Sequence, residues 1–222
     1  MITVAVSLIL LLFLACFGFY WDSREKDWTT STGSTFVMDT FVDQKFSGKQ
    51  SGLAVEKINE LLKNFENRFS AYVSSSEISR INQNAGLSYI QVSEETFDFL
   101  KTAKEYCKRS QGLFDITIGP LVDLWDITGE NPRVPDEREI QSVLKRVNYE
   151  DLLLREEDHS VMLRQEGQKL NLGGMAKGTA GALAIETAKS YGVHSGYLSV
   201  GGNIFTIGRK ADGSAYRFGV RD

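Results

Sequence analysis

A glycine pair followed by an early lysine makes Leu170 to Gly178 the part of the sequence best suited to bind a phosphorylated ligand. The segment predicts a short strand, a glycine turn and the start of a helix. Glycines let a ligand approach the backbone, and a helix N-terminus offers N–H donors and a positive dipole end. Lys177 would add a full charge. The residue order matches neither a P-loop nor G-x-G-x-x-G, and a tight turn with a solvated lysine explains the pattern about equally well.

A second segment, Gly112 to Trp125, combines aromatic faces with a carboxylate. Phe114 and Trp125 offer flat apolar surfaces, and Asp115 offers an acceptor for ribose hydroxyls or ring N–H groups. Gly119-Pro120 predicts a turn. The alternative is a buried strand followed by a helix start, with both aromatic residues in the core.

Two shorter segments carry weaker signals. Tyr72 follows an amphipathic stretch and is placed to stack on a flat ligand, although a half-buried structural tyrosine fits as well. Gly201-Gly202, within Ser199 to Asn203, predicts a bend where two backbones, or a backbone and a ligand, pass closely. Neither His159 nor His194 has a neighbouring Ser or Cys arranged for nucleophilic chemistry, and we assign them no role.

The hydrophobic periodicity predicts the elements that would position these segments. The predicted helices are Leu53–Phe69, Ser76–Asn82, one from an N-cap at Ser93 to near Gly112, one from a capping box at Asp136 to Val147, and Gly173–Tyr191. The predicted strands are Phe36–Val42, Leu152–Arg155, Val161–Arg164, Lys169–Leu172, Tyr197–Val200, Phe205–Ile207 and Tyr216–Val220. Helices and strands mix throughout, which predicts an α/β (mixed α+β) fold, one domain with a mixed sheet and flanking helices.

Charge and cysteine content exclude several classes of function. The net charge is −4, with no block of Lys or Arg, so a nucleic acid is a poor candidate ligand. Cys107 lies in a helical pattern and is expected to be a small buried hydrophobe. The sequence has no C-x-x-C pair or Cys/His set, which argues against a structural zinc site.

The first residues differ from the rest. Met1 to Trp21 contains no charged side chain, and about 20 apolar residues in a helix span about 30 Å, one hydrocarbon core. An uncleaved anchor, a signal peptide, and a lipoprotein signal with Cys16 acylated all remain open. We therefore expect tethering to the inner membrane, or to the cell surface on the periplasmic side. Residues 1–21 are the predicted anchor or signal, 22–34 a linker, and 35–222 the globular domain.

Taken together, the body resembles the ApbE family of flavin transferases. The resemblance runs from about Met38 to the last residue. It rests on five segments in the family's order: Met38-Asp39-Thr40, Phe69–Tyr72 with Ser76–Asn82, Phe114–Trp125, Leu172–Gly178 and Ser199–Asn203. It implies an enzyme that splits FAD, transfers FMN to a Thr or Ser hydroxyl of an acceptor flavoprotein and releases AMP with the help of Mg²⁺.

The resemblance also implies roles for individual residues. Contacts with FAD are implied for Met38, Tyr72, Leu113, Phe114, Asp115, Asn171 and Lys177. The backbone carbonyl of Gly174 falls at a Mg²⁺ ligand position. Asn171 stands where the family often has Asp, so a negative charge is lost there.

The family's pattern continues beyond Asp222, with an Asp-Pro-x-Thr-Gly segment, a catalytic His and an Asp-Ala-x-x-Thr segment that supplies metal ligands. No catalytic residue is therefore assigned among those printed. One carbonyl is too few ligands for Mg²⁺, so we expect this polypeptide alone to bind FAD weakly and transfer little FMN. A membrane-anchored FAD-binding module without transferase activity is the alternative function.

Overall fold

The computed structural model of the chain describes residues 28–127 and 129–219. It divides into two compact units: unit 1 comprises the residues up to Leu61 and those from Gly181 onward, and unit 2 comprises Leu62–Ala180. Both contain helices and strands, which confirms the predicted mixed α/β class. The predicted anchor or signal at 1–21, with Cys16, lies outside the described residues. Within those residues, no helix combines the length and apolar character needed to cross a membrane.

The strands are β1 (Thr29–Val37), β2 (Thr40–Gly48), β3 (Ile90–Gln91), β4 (Leu152–Arg155), β5 (Ser160–Leu163), β6 (Val193–Val200) and β7 (Asn203–Ile207). The helices are α1 (Ser51–Phe69), α2 (Glu77–Gln83), α3 (Glu94–Arg109), α4 (Gly119–Trp125), α5 (Glu137–Leu144) and α6 (Gly173–Ser190). Short 3₁₀ turns cover Tyr149–Asp151 and Glu156–Asp158.

Unit 1 is an antiparallel sheet in the order β1-β2-β6-β7. Gln44, Leu198 and Phe205 lie in one cross-strand row, so their side chains share a face of the sheet. Helices α1 and α6 cover that face: Gln44 donates a 2.8 Å hydrogen bond to Asn59 of α1, and the Phe205 ring lies against Gly181 of α6. The buried core of this unit includes Val42, Phe46, Ala54, Ile58, Ala184, Ala188, Leu198 and Val200.

The structure corrects the prediction for the start of unit 1. The predicted strand Phe36–Val42 is two strands, because Met38 and Asp39 form a two-residue turn in which both have φ of 54°. Residues 29–34, expected in the linker, belong to β1 and pair with β2. Their side chains are small and polar, so no apolar alternation indicated a strand. One face of an edge strand can lie in solvent and needs no apolar residues.

Unit 2 pairs a small antiparallel sheet, in the order β3-β5-β4, with helices α2 to α5 and the adjoining parts of α1 and α6. The predicted caps are confirmed: the Ser93 side chain accepts from the Thr96 N–H, and Asp136 and Glu139 form a capping box. Cys107 is buried as expected, and burial raises the pKa of its thiol. The largest buried side chains here are Leu62, Ile78, Ile81, Phe97, Leu100, Ile116, Leu152, Leu163 and Leu170.

Three local predictions are wrong. Gly119-Pro120 begins helix α4 instead of forming a turn, since proline is tolerated in the first helical turn, where its missing N–H has no partner to lose. The predicted strand Lys169–Leu172 forms one isolated parallel bridge, from Ile118 to Lys169. The ladders among the described residues are all antiparallel, so the structure has two antiparallel sheets where a mixed sheet was expected.

The third concerns the end of the described chain. Tyr216 to Gly219 are irregular, and Val220, the last residue of that predicted strand, lies outside the described residues. The Tyr216 hydroxyl lies 2.8 Å from the Ser195 hydroxyl, and its ring contacts those of Tyr197 and Phe218. Side-chain packing therefore holds this segment beside β6 without a backbone ladder.

Candidate functional site

Unit 2 contains a cavity of about 250 Å³, open to solvent on one side. It brings Tyr72 and Asn171, two of the residues expected to bind a ligand, to one wall. Its lining residues are Ala71, Tyr72, Ser79, Asn82, Gln83, Gly119, Asp123, Lys169, Leu170 and Asn171. Seven of these ten residues have polar side chains, so the cavity offers hydrogen-bonding groups to a ligand.

The extended segment from Lys169 to Asn171 lines the cavity. On one edge the Gly119 N–H donates to the Lys169 carbonyl at 3.1 Å, and the Asn171 N–H donates to the Ile116 carbonyl at 2.8 Å. On the other edge the Asn82 side chain bonds to Leu170. The segment that leads into helix α6 is therefore fixed from both sides.

Asn171 connects the cavity wall to the start of α6. Its side-chain N–H donates to the Tyr72 hydroxyl at 3.3 Å, and its side-chain oxygen accepts from the Gly173 N–H at 2.9 Å. Tyr72 is 60% exposed, so part of the residue is accessible to a ligand. Asn171 therefore caps the helix and orients the tyrosine, and an Asp at this position could accept at the helix N-terminus equally well.

The first turn of α6 satisfies most of its own N–H groups. Met175 and Ala176 donate to the Leu172 carbonyl at 3.0 and 2.8 Å. Among the described residues the Gly174 N–H has no hydrogen-bond acceptor. Lys177 follows Gly174 by three residues, which places both on one side of the helix. A ligand phosphate would thus meet one backbone donor and one ammonium group here, fewer backbone donors than the glycine pair led us to expect.

Phe114 lies next to this helix start. A Cβ added at Gly174 would come within 2.9 Å of its ring, so the second glycine of the pair is needed for the ring to pack there. Leu113 is 95% exposed, and Phe114 is half-buried. These two predicted site residues therefore present apolar surface beside α6.

Asp115 acts mainly within the protein. One of its carboxylate oxygens accepts from the Thr117 N–H and hydroxyl at 2.7 and 2.6 Å. The other accepts from the Tyr149 N–H at 2.9 Å. The carboxylate predicted to contact a ligand holds its own loop and the 3₁₀ turn that begins at Tyr149.

Met38 lies in unit 1, where two hairpin turns adjoin. It forms the β1–β2 turn with Asp39, and Gly201-Gly202 forms the β6–β7 turn. The Gly201 N–H donates to the Phe41 carbonyl at 3.1 Å, and a Cβ on Gly201 would meet the Thr40 hydroxyl at 2.5 Å. The Gly201-Gly202 bend thus allows the close backbone approach that the sequence predicted.

A divalent cation finds few ligands in the described part of the chain. No group of three or more His, Cys, Asp or Glu side chains among those residues is placed to hold a metal ion. The Gly174 carbonyl lies within α6, where the helical pattern directs it toward the Gly178 N–H. Mg²⁺ prefers six oxygens in octahedral geometry, so this carbonyl alone does not form a magnesium site.

Among the polar residues that line the cavity, the sequence analysis did not identify Ser79, Asn82, Gln83, Asp123 and Lys169 as ligand candidates. Lys169 and Asp123 form a salt bridge at the cavity, joining residues 46 positions apart. Asn82 had a weak sequence signal: it follows Ile78 by four positions, which places it on the apolar side of a short helix.

Comparison with known proteins places the chain in a family. The model of the ApbE family matches residues 38–222. The chain is 30% identical over 175 residues to an FAD:protein FMN transferase of Klebsiella pneumoniae, covering 79% of this chain and 55% of that protein. It is 30% identical over 162 residues to the FAD:protein FMN transferase of Treponema pallidum, covering 71% of this chain and 45% of that protein.

Solved structures agree. The ApbE protein of Thermotoga maritima superposes with a TM-score of 0.77 at 31% identity, covering 84% of this chain and 61% of that one. The flavin transferase ApbE of Vibrio cholerae gives 0.78 at 25% identity, covering 87% and 64%. The chain belongs to the ApbE family, and it spans about half the length of the curated relatives it matches.

Proposed function

We propose that this chain is an FAD:protein FMN transferase, or the part of one that binds FAD. The acceptor is a Thr or Ser hydroxyl of a flavoprotein. Its oxygen forms a bond to the phosphorus of the FMN half of FAD, the bond from that phosphorus to the bridging oxygen breaks, and AMP leaves with the bridging oxygen. The hydroxyl proton passes to a base, which we assign to none of the described residues. The names of the relatives in Klebsiella and Treponema support this reaction.

The start of helix α6 beside the cavity is the observation on which the proposal depends. The Gly174 N–H points out of the helix start, and Lys177 follows on the same side. An N–H donor, an ammonium group and the positive end of a helix together favour an anion such as a pyrophosphate. The polar cavity next to them offers room for another part of a dinucleotide.

The flat groups of FAD need apolar or aromatic surfaces. Tyr72, which lines the cavity and is 60% exposed, is the proposed stacking partner in unit 2. Leu113 and Phe114 offer apolar surface beside α6, and Met38 in unit 1 is the remaining proposed contact. Asp115 would contribute through the loop that it holds.

Mg²⁺ is proposed as the cation that balances the pyrophosphate charge. Since the Gly174 carbonyl is one oxygen only, the others would have to come from FAD, from water or from residues that the structure does not describe. When bound, the ion would supply charge stabilisation for the leaving phosphate.

FAD binding is tested by titrating the protein with FAD and following flavin fluorescence. Lys177→Ala should weaken FAD binding by about 5- to 10-fold, the loss of one partly screened charge contact. The matched control is Lys189→Ala on the same helix, because Lys189 pairs with Glu186 in the last turn. Equal affinities for native protein and Lys177→Ala would remove Lys177 from the site.

Transfer is tested separately with FAD, Mg²⁺ and a peptide that carries an acceptor Thr. If the chain itself carries the transferase activity, the mass of FMN should appear on the peptide with an equal amount of AMP in solution, both abolished by EDTA; little transfer is expected if further metal ligands are required. FAD binding without FMN transfer or AMP would select the alternative, an FAD-binding module. No flavin binding at all would contradict both functions.

We also propose that the N-terminal residues tether the chain to a membrane, at the inner membrane or on the periplasmic side of the cell surface. The proposal is supported by the uncharged stretch from Met1 to Trp21. Fractionation of the native chain and of a form beginning at Asp22 tests it: tethering predicts that only the native chain sediments with membranes. Lipid labelling that disappears in Cys16→Ser would identify acylation, and equal partitioning of the two forms would exclude a tether.

A further inference from the structure

The side-chain amide of Asn82 makes two hydrogen bonds to the same backbone residue. Its N–H donates to the Leu170 carbonyl at 3.0 Å, and its oxygen accepts from the Leu170 N–H at 2.7 Å. The two residues are 88 positions apart in the chain. A two-point contact of this kind fixes both the distance and the orientation of the backbone that it holds.

The Asn82 side chain occupies one edge of the extended segment from Lys169 to Asn171, and backbone groups occupy the opposite edge. Lys169 and Asn171, on either side of Leu170, bond to the backbone of Gly119 and Ile116. In an extended chain, successive backbone groups point to alternate edges, so a central strand is bonded on both. Here the Asn82 amide takes the place of a peptide group in a neighbouring strand, and it does so at the wall of the cavity.

The position of this segment determines the position of the residues after it. Asn171 follows directly, and its side chain holds both the Gly173 N–H and the Tyr72 hydroxyl. Asn82 itself is anchored, because Ile78 and Ile81 on the same short helix are buried. A shift at Leu170 would therefore move the tyrosine contact and the first turn of α6 together.

We propose that Asn82 is a positioning residue for the FAD site: by holding the backbone of Leu170 it aligns Asn171, Tyr72 and the start of α6. This inference rests on the proposed FAD binding for its functional consequence. The hydrogen bonds by which Asn82 holds the Leu170 backbone do not involve FAD, so this part of the proposal can be tested without FAD.

Three variants separate the possibilities. Asn82→Ala removes both bonds and should weaken FAD binding by at least about 10-fold. Asn84→Ala is the matched control, since Asn84 ends the same helix and, among the residues that the structure describes, its side-chain N–H donates to the Arg80 carbonyl alone, at 2.8 Å. It should leave FAD affinity within about 2-fold of the native value.

Asn82→Asp adds a second measurement, the pH dependence of FAD affinity, which depends on the hydrogen bonds of this side chain to Leu170. A protonated carboxyl can donate to the Leu170 carbonyl and accept from its N–H, as the amide does, whereas a carboxylate can only accept. Repulsion between the carboxylate and that carbonyl raises the pKa of the new side chain. The ratio of native to variant affinity should therefore fall toward one as the pH is lowered from about 8 to about 5, while it stays constant for Asn82→Ala.

Amide hydrogen exchange without FAD tests the held backbone directly. In Asn82→Ala the N–H groups of Leu170 and Gly173 should exchange at least about 10-fold faster, with no change for helix α3. Unchanged exchange at Leu170 and Gly173 would overturn the inference whatever the affinities are. Faster exchange together with native FAD affinity would overturn the positioning role. If exchange is faster in Asn82→Ala but the native protein binds no FAD, the proposed function is contradicted. The role of Asn82 in holding the Leu170 backbone would still be established.

Discussion

Gly178 offers the sharpest test of where a ligand approaches helix α6. It lies in the interior of the helix and is exposed, and a Cβ added there would meet no atom within 4 Å. Two other glycines of the helix differ, because added Cβ atoms would come within 2.9 Å of the Phe114 ring at Gly174 and 2.2 Å of the Phe205 ring at Gly181. Packing within the described residues accounts for those two glycines and leaves Gly178 unexplained.

The magnitude follows from helix propensity. Glycine in a helix interior is about 0.8–1.0 kcal/mol less favourable than alanine. Gly178→Ala should therefore stabilise the protein by about 1 kcal/mol, which raises Tm by about 2–4 °C for a domain of this size. If FAD occupies the open space beside Lys177, the added methyl group should also weaken FAD binding by about 10-fold or more.

Thermal unfolding followed by circular dichroism, without FAD, measures the first effect, and a fluorescence titration measures the second. Ala182→Gly, also on the exposed surface of α6, calibrates the stability scale and should lower Tm by a similar amount. A higher Tm with unchanged FAD affinity would show that the ligand does not reach Gly178. A lower Tm would refute the claim that the space beside it is open.

Three further outcomes follow from the structure. Asp115→Asn replaces one acceptor oxygen with a donor facing the Thr117 or the Tyr149 N–H, and should lower stability by about 1–3 kcal/mol in thermal or urea unfolding; an unchanged midpoint would contradict the structural role. Burial alone would raise the pKa of Glu77, but hydrogen bonds from hydroxyl and N–H groups at the start of α3 outweigh it and lower the pKa. The stability from this shift is present above the unfolded value of 4.5 and is lost as the pH falls through the lower folded value, so Glu77→Gln should be less acid-sensitive than the native protein in that range. With Cys16 replaced by Ser, Cys107 should react with a thiol reagent at least about 10³-fold more slowly in native than in unfolded protein, since its exposure requires an opening of several kcal/mol; rapid native labelling would contradict its burial.

Local signals made part of the fold predictable. The capping residues Ser93 and Asp136 act within one helical turn, so the starts of α3 and α5 could be placed from a few adjacent residues. The β1–β2 turn was missed because Met-Asp lacks the Asn-Gly signature of a two-residue hairpin. Pairing partners distant in sequence leave no such local mark.

The strand predicted at Lys169–Leu172 shows the limit most clearly. The residue pattern correctly indicated an extended segment, but one of its neighbours is the side chain of Asn82 and the other is a single bridge. A residue pattern predicts extension, while strand assignment depends on what lies alongside. The hydrogen bond from the Tyr149 N–H to Asp115 was unpredictable for the same reason, since the two residues lie 34 positions apart.

The candidate site was predicted as a set of segments but not as a geometry. The glycine–lysine segment, Tyr72 and Phe114 were selected by residue type, and the structure places Tyr72 against Asn171 and Phe114 against Gly174. The internal capping of the helix start by Asn171 reduced the number of backbone donors that the glycine pair suggested. Only the folded arrangement shows which donors remain for a ligand.

The backbone conformation of the Met38-Asp39 turn is energetically unfavourable, and the flanking strands compensate for it. Left-handed backbone at two consecutive residues that are not glycine costs roughly 1 kcal/mol or more at each, and the long antiparallel ladder between β1 and β2 compensates for it. Replacing the turn by Asn-Gly would relieve that strain and remove the thioether side chain at the same time. The turn orders the backbone at this tip, so a partner that contacts Met38 would find the backbone already ordered and would incur a smaller backbone entropy loss on binding.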